Sequence, residues 1–251
     1  KLSMGVCKVN FDDNDINKLL DKSYMSRSKV KGLYNQNYYI FDSVLENQLV
    51  EEQKIESTME EALKNKEFKV VYQPKTYTKT EKLSGAEALV RWERDGEIIP
   101  PSKFIALFEK NKFIVKLDLY IFEQACSDIA SWIEKFNFQP IVSINVSKEH
   151  FINENFIEEY VEIANKYNVD RSKIDLEITE SAIIDRNVDT IKILNNIKEK
   201  GFTISIDDFG TGYSSLSMLQ STPIDVIKID KVFVDKADLD SEKNIINYIM
   251  Y

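Results

Sequence analysis

At 251 residues, 43% hydrophobic and 30% charged, the chain reads as an ordinary globular protein, sized for one large α/β barrel or a medium domain with part of another. A net charge of −9 excludes the wrapping of long nucleic acid, which demands a basic surface. The one histidine, His150, excludes His-based triads and histidine-rich zinc sites, so a bound metal would rely on carboxylates and amides, ligands suited to Mg²⁺, Mn²⁺ or Ca²⁺.

The first segment predicts a strand at Ser3–Val9, a helix at Ile16–Lys29 and a strand at Tyr38–Phe41. Residues 1–42 are too few for a complete domain and are expected to be a small α+β remnant. Leu45, Leu49, Ile55, Met59 and Leu63 mark a connecting helix over 43–65, with Glu51-Glu52 and Glu60-Glu61 on a solvated face. No apolar run approaches the ~18 residues that span a bilayer, and no secretory signal opens the chain. This segment is therefore expected to make no membrane contact and to be cytoplasmic, alone or as part of a larger membrane-anchored protein. Cys7 and Cys126 sit in apolar patterns outside any metal-ligand spacing, which predicts two buried free thiols.

From about Lys69 short apolar runs alternate with amphipathic segments. The runs are Val70–Tyr72, Ala86–Trp92, Ile141–Val146, Ile174–Ile178, Thr203–Ile206 and Val226–Ile229. They are short and rich in β-branched residues, as buried parallel strands are. Helices between them are predicted from Ile114, Leu117, Ile121, Ala125, Ile129, Trp132 and Phe136, from Phe156, Tyr160 and Ile163, and from Ile191, Leu194 and Ile197. Gly201 stands where a helix C-terminus takes a left-handed residue. Repeated β-α units imply a parallel sheet, open or closed into a barrel. Tyr72, Trp92 and Trp132 are expected in the core, and His150, at a polar helix start, in solvent.

Five successive runs carry a charged or amide residue near the C-terminal end: Glu87, Asn145, Glu177, Asp207 with Asp208, and Lys228. An unpaired buried charge is very costly, so five such positions point to a common centre at converging strand ends. Carboxylates and an amide make an oxygen-rich site for hard cations, and adjacent Asp207 and Asp208 would repel without positive charge nearby. Two cations there would activate a water and stabilise the leaving oxygen of a phosphodiester, with Lys228 orienting the water or neutralising the phosphorane. Asp208–Ser215 follows with two glycines that permit a tight loop beside a ligand. By itself, Gln73 would be an ordinary polar strand residue, and a structural ion pair is the alternative to a binding role for Arg91.

The chain from about Phe68 onward closely resembles the EAL domain family. The motifs are Tyr72-Gln73-Pro74, Glu87-Ala88-Leu89-Val90-Arg91-Trp92, Leu176-Glu177-Ile178-Thr179-Glu180-Ser181, Asp207-Asp208-Phe209-Gly210-Thr211-Gly212-Tyr213 and Lys228-Ile229-Asp230. The resemblance implies a TIM-type (β/α)8 barrel over 66–251 that hydrolyses cyclic di-GMP to linear pGpG with two Mg²⁺ or Mn²⁺ ions, Ca²⁺ being non-productive. Carried over by position, Glu87, Asn145, Glu177 and Asp207 would be metal ligands, with Asp208 holding the second ion. Lys228 would contact the catalytic water. Gln73, Leu89, Arg91 and Asp230 would contact the substrate, and Glu180 would anchor the glycine loop.

Family members often form homodimers through barrel helices near that loop, so a homodimer is expected. The family's last two strands would fall beyond Tyr251. Ser3-Met4-Gly5-Val6 and Tyr24–Gly32 resemble the tail of a GGDEF domain, with Leu33 in place of the usual arginine and no signature loop. The alternatives are a cyclic di-GMP receptor without turnover, and an interaction module regulated through the upstream helix.

Overall fold

The computed structural model describes residues 2–9, 14–31, 36–184, 189–210 and 222–230. The chain forms two compact units, Lys1–Glu61 and Ala62–Tyr251.

In the first unit, β1 (Met4–Val6) pairs in parallel with β2 (Tyr38–Ile40), joined through α1 (Ile16–Val30). Asp15 caps α1, its Oδ1 accepting from the Asn17 and Lys18 N–H groups at 3.0 and 3.3 Å. A Cβ added at Gly5 would meet the Ser23 carbonyl oxygen at 1.7 Å, so the β1 backbone lies directly on α1 and only glycine fits. The strand is shorter than the predicted Ser3–Val9. Cys7, beyond its end, is half-exposed rather than buried, because apolar patterning there has no continuing strand to cover it. A long helix, α2 (Ser43–Lys64), follows.

The second unit carries β3 (Phe68–Thr76), β4 (Leu83–Arg94), β5 (Glu97–Ile99), β6 (Val142–Asn145), β7 (Ile174–Thr179), β8 (Thr203–Phe209) and β9 (Val226–Ile229). Between them lie α3 (Ile105–Lys110), α4 (Ile114–Phe136), α5 (Ile157–Lys166), α6 (Glu180–Ile184) and α7 (Thr190–Glu199). The strand order is β3-β4-β6-β7-β8-β9, with β5 on β4, an arrangement of TIM-barrel type. From β4 to β9 this path is parallel. The first pairing corrects the expectation of an all-parallel sheet: β3 and β4 form an antiparallel hairpin closed by Tyr77 N–H donating to Lys82 O at 2.9 Å. A β-branched run looks the same in either direction, and the six residues between β3 and β4 are too few for a parallel crossover.

Strand alternation sorts the side chains. Ala88, Ile144, Leu176, Ile178 and Ile204 lie on the helix side, in one core with Phe122, Cys126 and Ile129 of α4, Tyr160 of α5, and Leu194 and Ile197 of α7. Trp92 is buried in an aromatic group with Phe68, Phe104 and Phe108. Tyr72 and Trp132 pack edge-on at 4.8 Å, and the Tyr72 hydroxyl donates to Asp128 at 2.8 Å. The C-terminus of α7 ends on Gly201 at φ 91, as predicted.

His150 corrects the expectation of a solvated side chain. It is 3% exposed, with Nε2 3.2 Å from both Asp118 Oδ2 and Tyr160 OH. Its short 3₁₀ segment, Lys148–Ile152, is polar in sequence, but α4 and α5 cover the ring, and Asp118 also accepts the Ser147 N–H at 2.9 Å.

Candidate active site

The opposite face of the sheet is polar because every second residue of the strands points there. Registers Gln73↔Glu87, Glu87↔Ser143, Asn145↔Glu177 and Glu177↔Ser205 place these positions on one face. On β9 the register Ile206↔Ile227 sends Ile227 to the helix side with Ile206, and Lys228 to the polar side.

The Lys228 ammonium is the centre of this face. It donates to Glu177 Oε2 at 2.7 Å and Glu87 Oε2 at 3.1 Å, and pairs with Asp207 Oδ1 at 3.1 Å. Asn145 Nδ2 reaches Glu87 Oε1 at 3.4 Å. Burial alone would lower the Lys228 pKa; the hydrogen bond and charge of Glu177, with the charges of Asp207 and Glu87, outweigh it and raise it. Burial pushes the Glu177 carboxyl up, and Lys228 pulls it back.

Asp208 lies where the β8–β9 register shifts, with φ 54 in the left-handed region. Aspartate tolerates that conformation better than most residues, but it is a strained one, placed here at a strand end beside the charged cluster. Burial, then the charges of Asp207 and Asp230, raise its pKa. Glu180 opens α6, is buried, and accepts the Gly210 N–H on Oε2 at 2.9 Å. Gln73 is exposed and directly opposite Glu87. Leu89 and Arg91 continue the Glu87 side of β4, and Arg91 donates to its neighbour's carbonyl, Val90 O, at 2.8 Å rather than to the cluster. Thr211–Ser215 of the glycine loop, together with Gly32 and Leu33, lie outside the described residues, as does everything after Asp230.

Glu87, Asn145, Glu177, Asp207 and Lys228 are therefore brought together. Sequence reasoning missed Lys75, Ser143, Asp175 and Ser205, which also occupy this face. The signal was present: Ser143, Asp175 and Ser205 stand two residues before Asn145, Glu177 and Asp207, the strand period.

The donor set fits a hard divalent cation: carboxylate and amide oxygens, with neither thiol nor imidazole among them. Glu177 Oε1 is buried and, among the described residues, accepts no hydrogen bond; Lys75 Nζ stands 3.5 Å away. Among the described residues no three acidic, histidine or cysteine side chains close on one point by themselves, and the Lys228 ammonium holds Glu87, Glu177 and Asp207 together.

An acidic, lysine-centred cluster at the strand ends of a TIM-type α/β fold defines the class. The chain belongs to the EAL domain family, whose family model matches residues 56–250. It is 34% identical over 235 residues to the signaling protein YkoW of Bacillus subtilis, covering 93% of this chain and 29% of that protein. A structure of the PaMucR phosphodiesterase in complex with c-di-GMP is 30% identical, with a TM-score of 0.70 over 77% of this chain and 78% of that one. The EAL enzyme Bd1971, in a form bound to cAMP and cyclic di-GMP, is 29% identical, with a TM-score of 0.73 over 93% of this chain and 61% of that one. The chain spans about a quarter to a third of the length of the curated relatives it matches. Among the described residues no helix is long and apolar enough to cross a membrane.

Proposed function

We propose that this domain hydrolyses cyclic di-GMP to linear pGpG with two divalent cations, Mg²⁺ or Mn²⁺. The observation that carries the reading is the convergence of Glu87, Glu177 and Asp207 on Lys228, beside a buried Glu177 oxygen that accepts no hydrogen bond among the described residues. Family membership and the likeness to the c-di-GMP-bound PaMucR phosphodiesterase support the substrate.

In this reading Glu87, Asn145, Glu177 and Asp207 would hold one cation and Asp208 the second. Bound cations of this kind act as Lewis acids on the phosphate and lower the pKa of water. Lys228 orients the attacking water and, as an ammonium, offsets charge that develops on the phosphate oxygens. The water oxygen bonds to phosphorus, the bond from phosphorus to the ribose 3′ oxygen breaks, and that oxygen takes up a proton. Gln73, Leu89, Arg91 and Asp230 contact the nucleotide along the mouth of the site. Glu180, through the Gly210 N–H, anchors the start of the glycine loop. We read residues 1–42 as the tail of a GGDEF-like domain and 43–65 as a connecting helix, a reading supported by the parallel β1–β2 pair around α1.

The test is hydrolysis of cyclic di-GMP with Mg²⁺ or Mn²⁺, with EDTA, and with Glu87→Ala, followed by chromatography of pGpG. Product that requires metal and Glu87 is expected. Nucleotide binding without product would instead make the domain a receptor.

A further inference from the structure

Beneath the Lys228 layer the polar face carries a second charged layer. Asp175, buried on β7, accepts from Ser143 Oγ at 2.6 Å and from Ser205 Oγ at 2.7 Å. Lys75 enters this layer from β3: its ammonium donates to Ser143 Oγ and stands 3.9 Å from Asp175 Oδ2 and 3.5 Å from Glu177 Oε1. A chain of donors thus runs from Lys75 through Ser143 to Asp175. Asp175 and Glu177 lie on one face of one strand, about 6–7 Å apart along it. Two like charges in that setting repel unless a cation stands near both, and Lys75 does.

The two oxygens of Glu177 face different ammonium groups. Oε2 receives a hydrogen bond from Lys228, and Oε1 faces Lys75 at 3.5 Å, with no hydrogen bond to it among the described residues. The Glu177 side chain is 0% exposed, so its orientation is set by these neighbours rather than by water. Ser143 and Asp175 in turn fix where the Lys75 ammonium sits. This arrangement differs from a bare counter-charge, which needs no hydroxyl relay to a second carboxylate.

We propose that Lys75 is a positioning residue: held by Ser143 and Asp175, it stands against Oε1 of Glu177 and so keeps Oε2 turned toward Glu87 and Asp207, where the cation would sit. The inference rests on the phosphodiesterase reading for the purpose of that site, but its readout does not. Supporting residues that orient a metal ligand typically change metal affinity by about 10–100-fold when removed.

The experiment measures Mn²⁺ binding to nucleotide-free protein by electron paramagnetic resonance of free Mn²⁺. The variants are Lys75→Met, Ser143→Ala and the double substitution, with Glu87→Ala as the site control. Lys75→Met is expected to weaken Mn²⁺ binding by about tenfold or more. Ser143→Ala is expected to weaken it less, and the double variant no more than Lys75→Met alone, because both act through one contact. A pure counter-charge would give the opposite sign: removing an ammonium beside the site would tighten Mn²⁺ binding. Unchanged or tighter binding by Lys75→Met, or fully additive losses, overturns the proposal. Should Lys75→Met fail to fold, Ser143→Ala decides alone, with unchanged affinity counting against it. Glu87-dependent Mn²⁺ binding by the wild type without pGpG would defeat the phosphodiesterase reading and leave the Lys75 result standing. Formation of pGpG with unaltered Mn²⁺ affinity in Lys75→Met would defeat only the Lys75 role. Absence of Glu87-dependent Mn²⁺ binding would defeat both.

Discussion

Lys228 shows how one side chain can hold a site together. Three carboxylates from three strands share its ammonium at 2.7–3.1 Å, so removing it leaves Glu87, Glu177 and Asp207 facing one another. Lys228→Met is expected to destabilise the metal-free protein by on the order of 2 kcal/mol, the scale of a lost hydrogen bond to a charged group. Saturating Mn²⁺ should recover most of that stability but not the activity, because Mn²⁺ would replace the counter-charge and not the donor to the attacking water that we propose Lys228 to be. Thermal unfolding with and without Mn²⁺, beside pGpG formation, checks both halves. The two cysteines separate in the same local way. Burial, then the Glu123 charge, pushes the Cys126 thiol up to about 12, so almost no thiolate exists at pH 8. Cys7 is half-exposed. Titration of the native protein with a chromogenic disulfide at pH 8 should therefore count one thiol, and two after denaturation; rapid native labelling of both would contradict the buried position of Cys126. The identities of Glu87, Asn145, Glu177, Asp207 and Lys228 were legible because charge inside a β-branched run is anomalous. Lys75 was not, since it follows Pro74 at the end of a run, where a lysine excites no suspicion.

At the scale of elements, backbone proximity carries the geometry. A Cβ on Gly85 would meet the Ile141 carbonyl oxygen at 2.5 Å, and Gly85 stands two residues before Glu87 on β4, next to β6. Gly85→Ala should push β4 from β6, costing about 1–3 kcal/mol as overpacking does, and widen the spacing between Glu87 and Asn145. Denaturant unfolding and pGpG formation are both expected to fall; unaltered stability would mean the two strands can separate freely. Glu180 acts on the next element. Glu180→Ala removes the acceptor of the Gly210 N–H, and is expected to lower turnover by about tenfold or more with little change in Mn²⁺ affinity, since Glu180 is not placed among the ligands. Loss of Mn²⁺ binding in that variant would make it a ligand instead. The strand runs, the three longer barrel helices and the Gly201 stop were readable from periodicity. The β3–β4 hairpin was not, because direction is set by the pairing partner and not by the run itself. The β4–β5 hairpin had a local signal, Asp95-Gly96, at φ 52 and 79, the pair that a tight two-residue turn requires.

For the whole molecule, an acidic chain with a charged site at the strand ends should be stabilised by the divalent ions proposed for that site. At free Mn²⁺ about 100-fold above its dissociation constant, a single site adds ~2.7 kcal/mol to the folded state. A rise in melting temperature with Mn²⁺, reversed by EDTA and absent in Glu87→Ala, is the expected result. The amino-acid sequence by itself determined the β-α rhythm, the family and the residue types of the site, because hydrophobic period and misplaced charge are local properties of a chain. Only the tertiary structure decided that β3 runs antiparallel to β4 and that His150 is enclosed by α4 and α5. It also decided that Lys75 meets Asp175 and Glu177, residues 100 or more positions away along the chain. Such distant meetings are created by sheet register and packing between elements, and nothing in a neighbouring stretch of sequence encodes them.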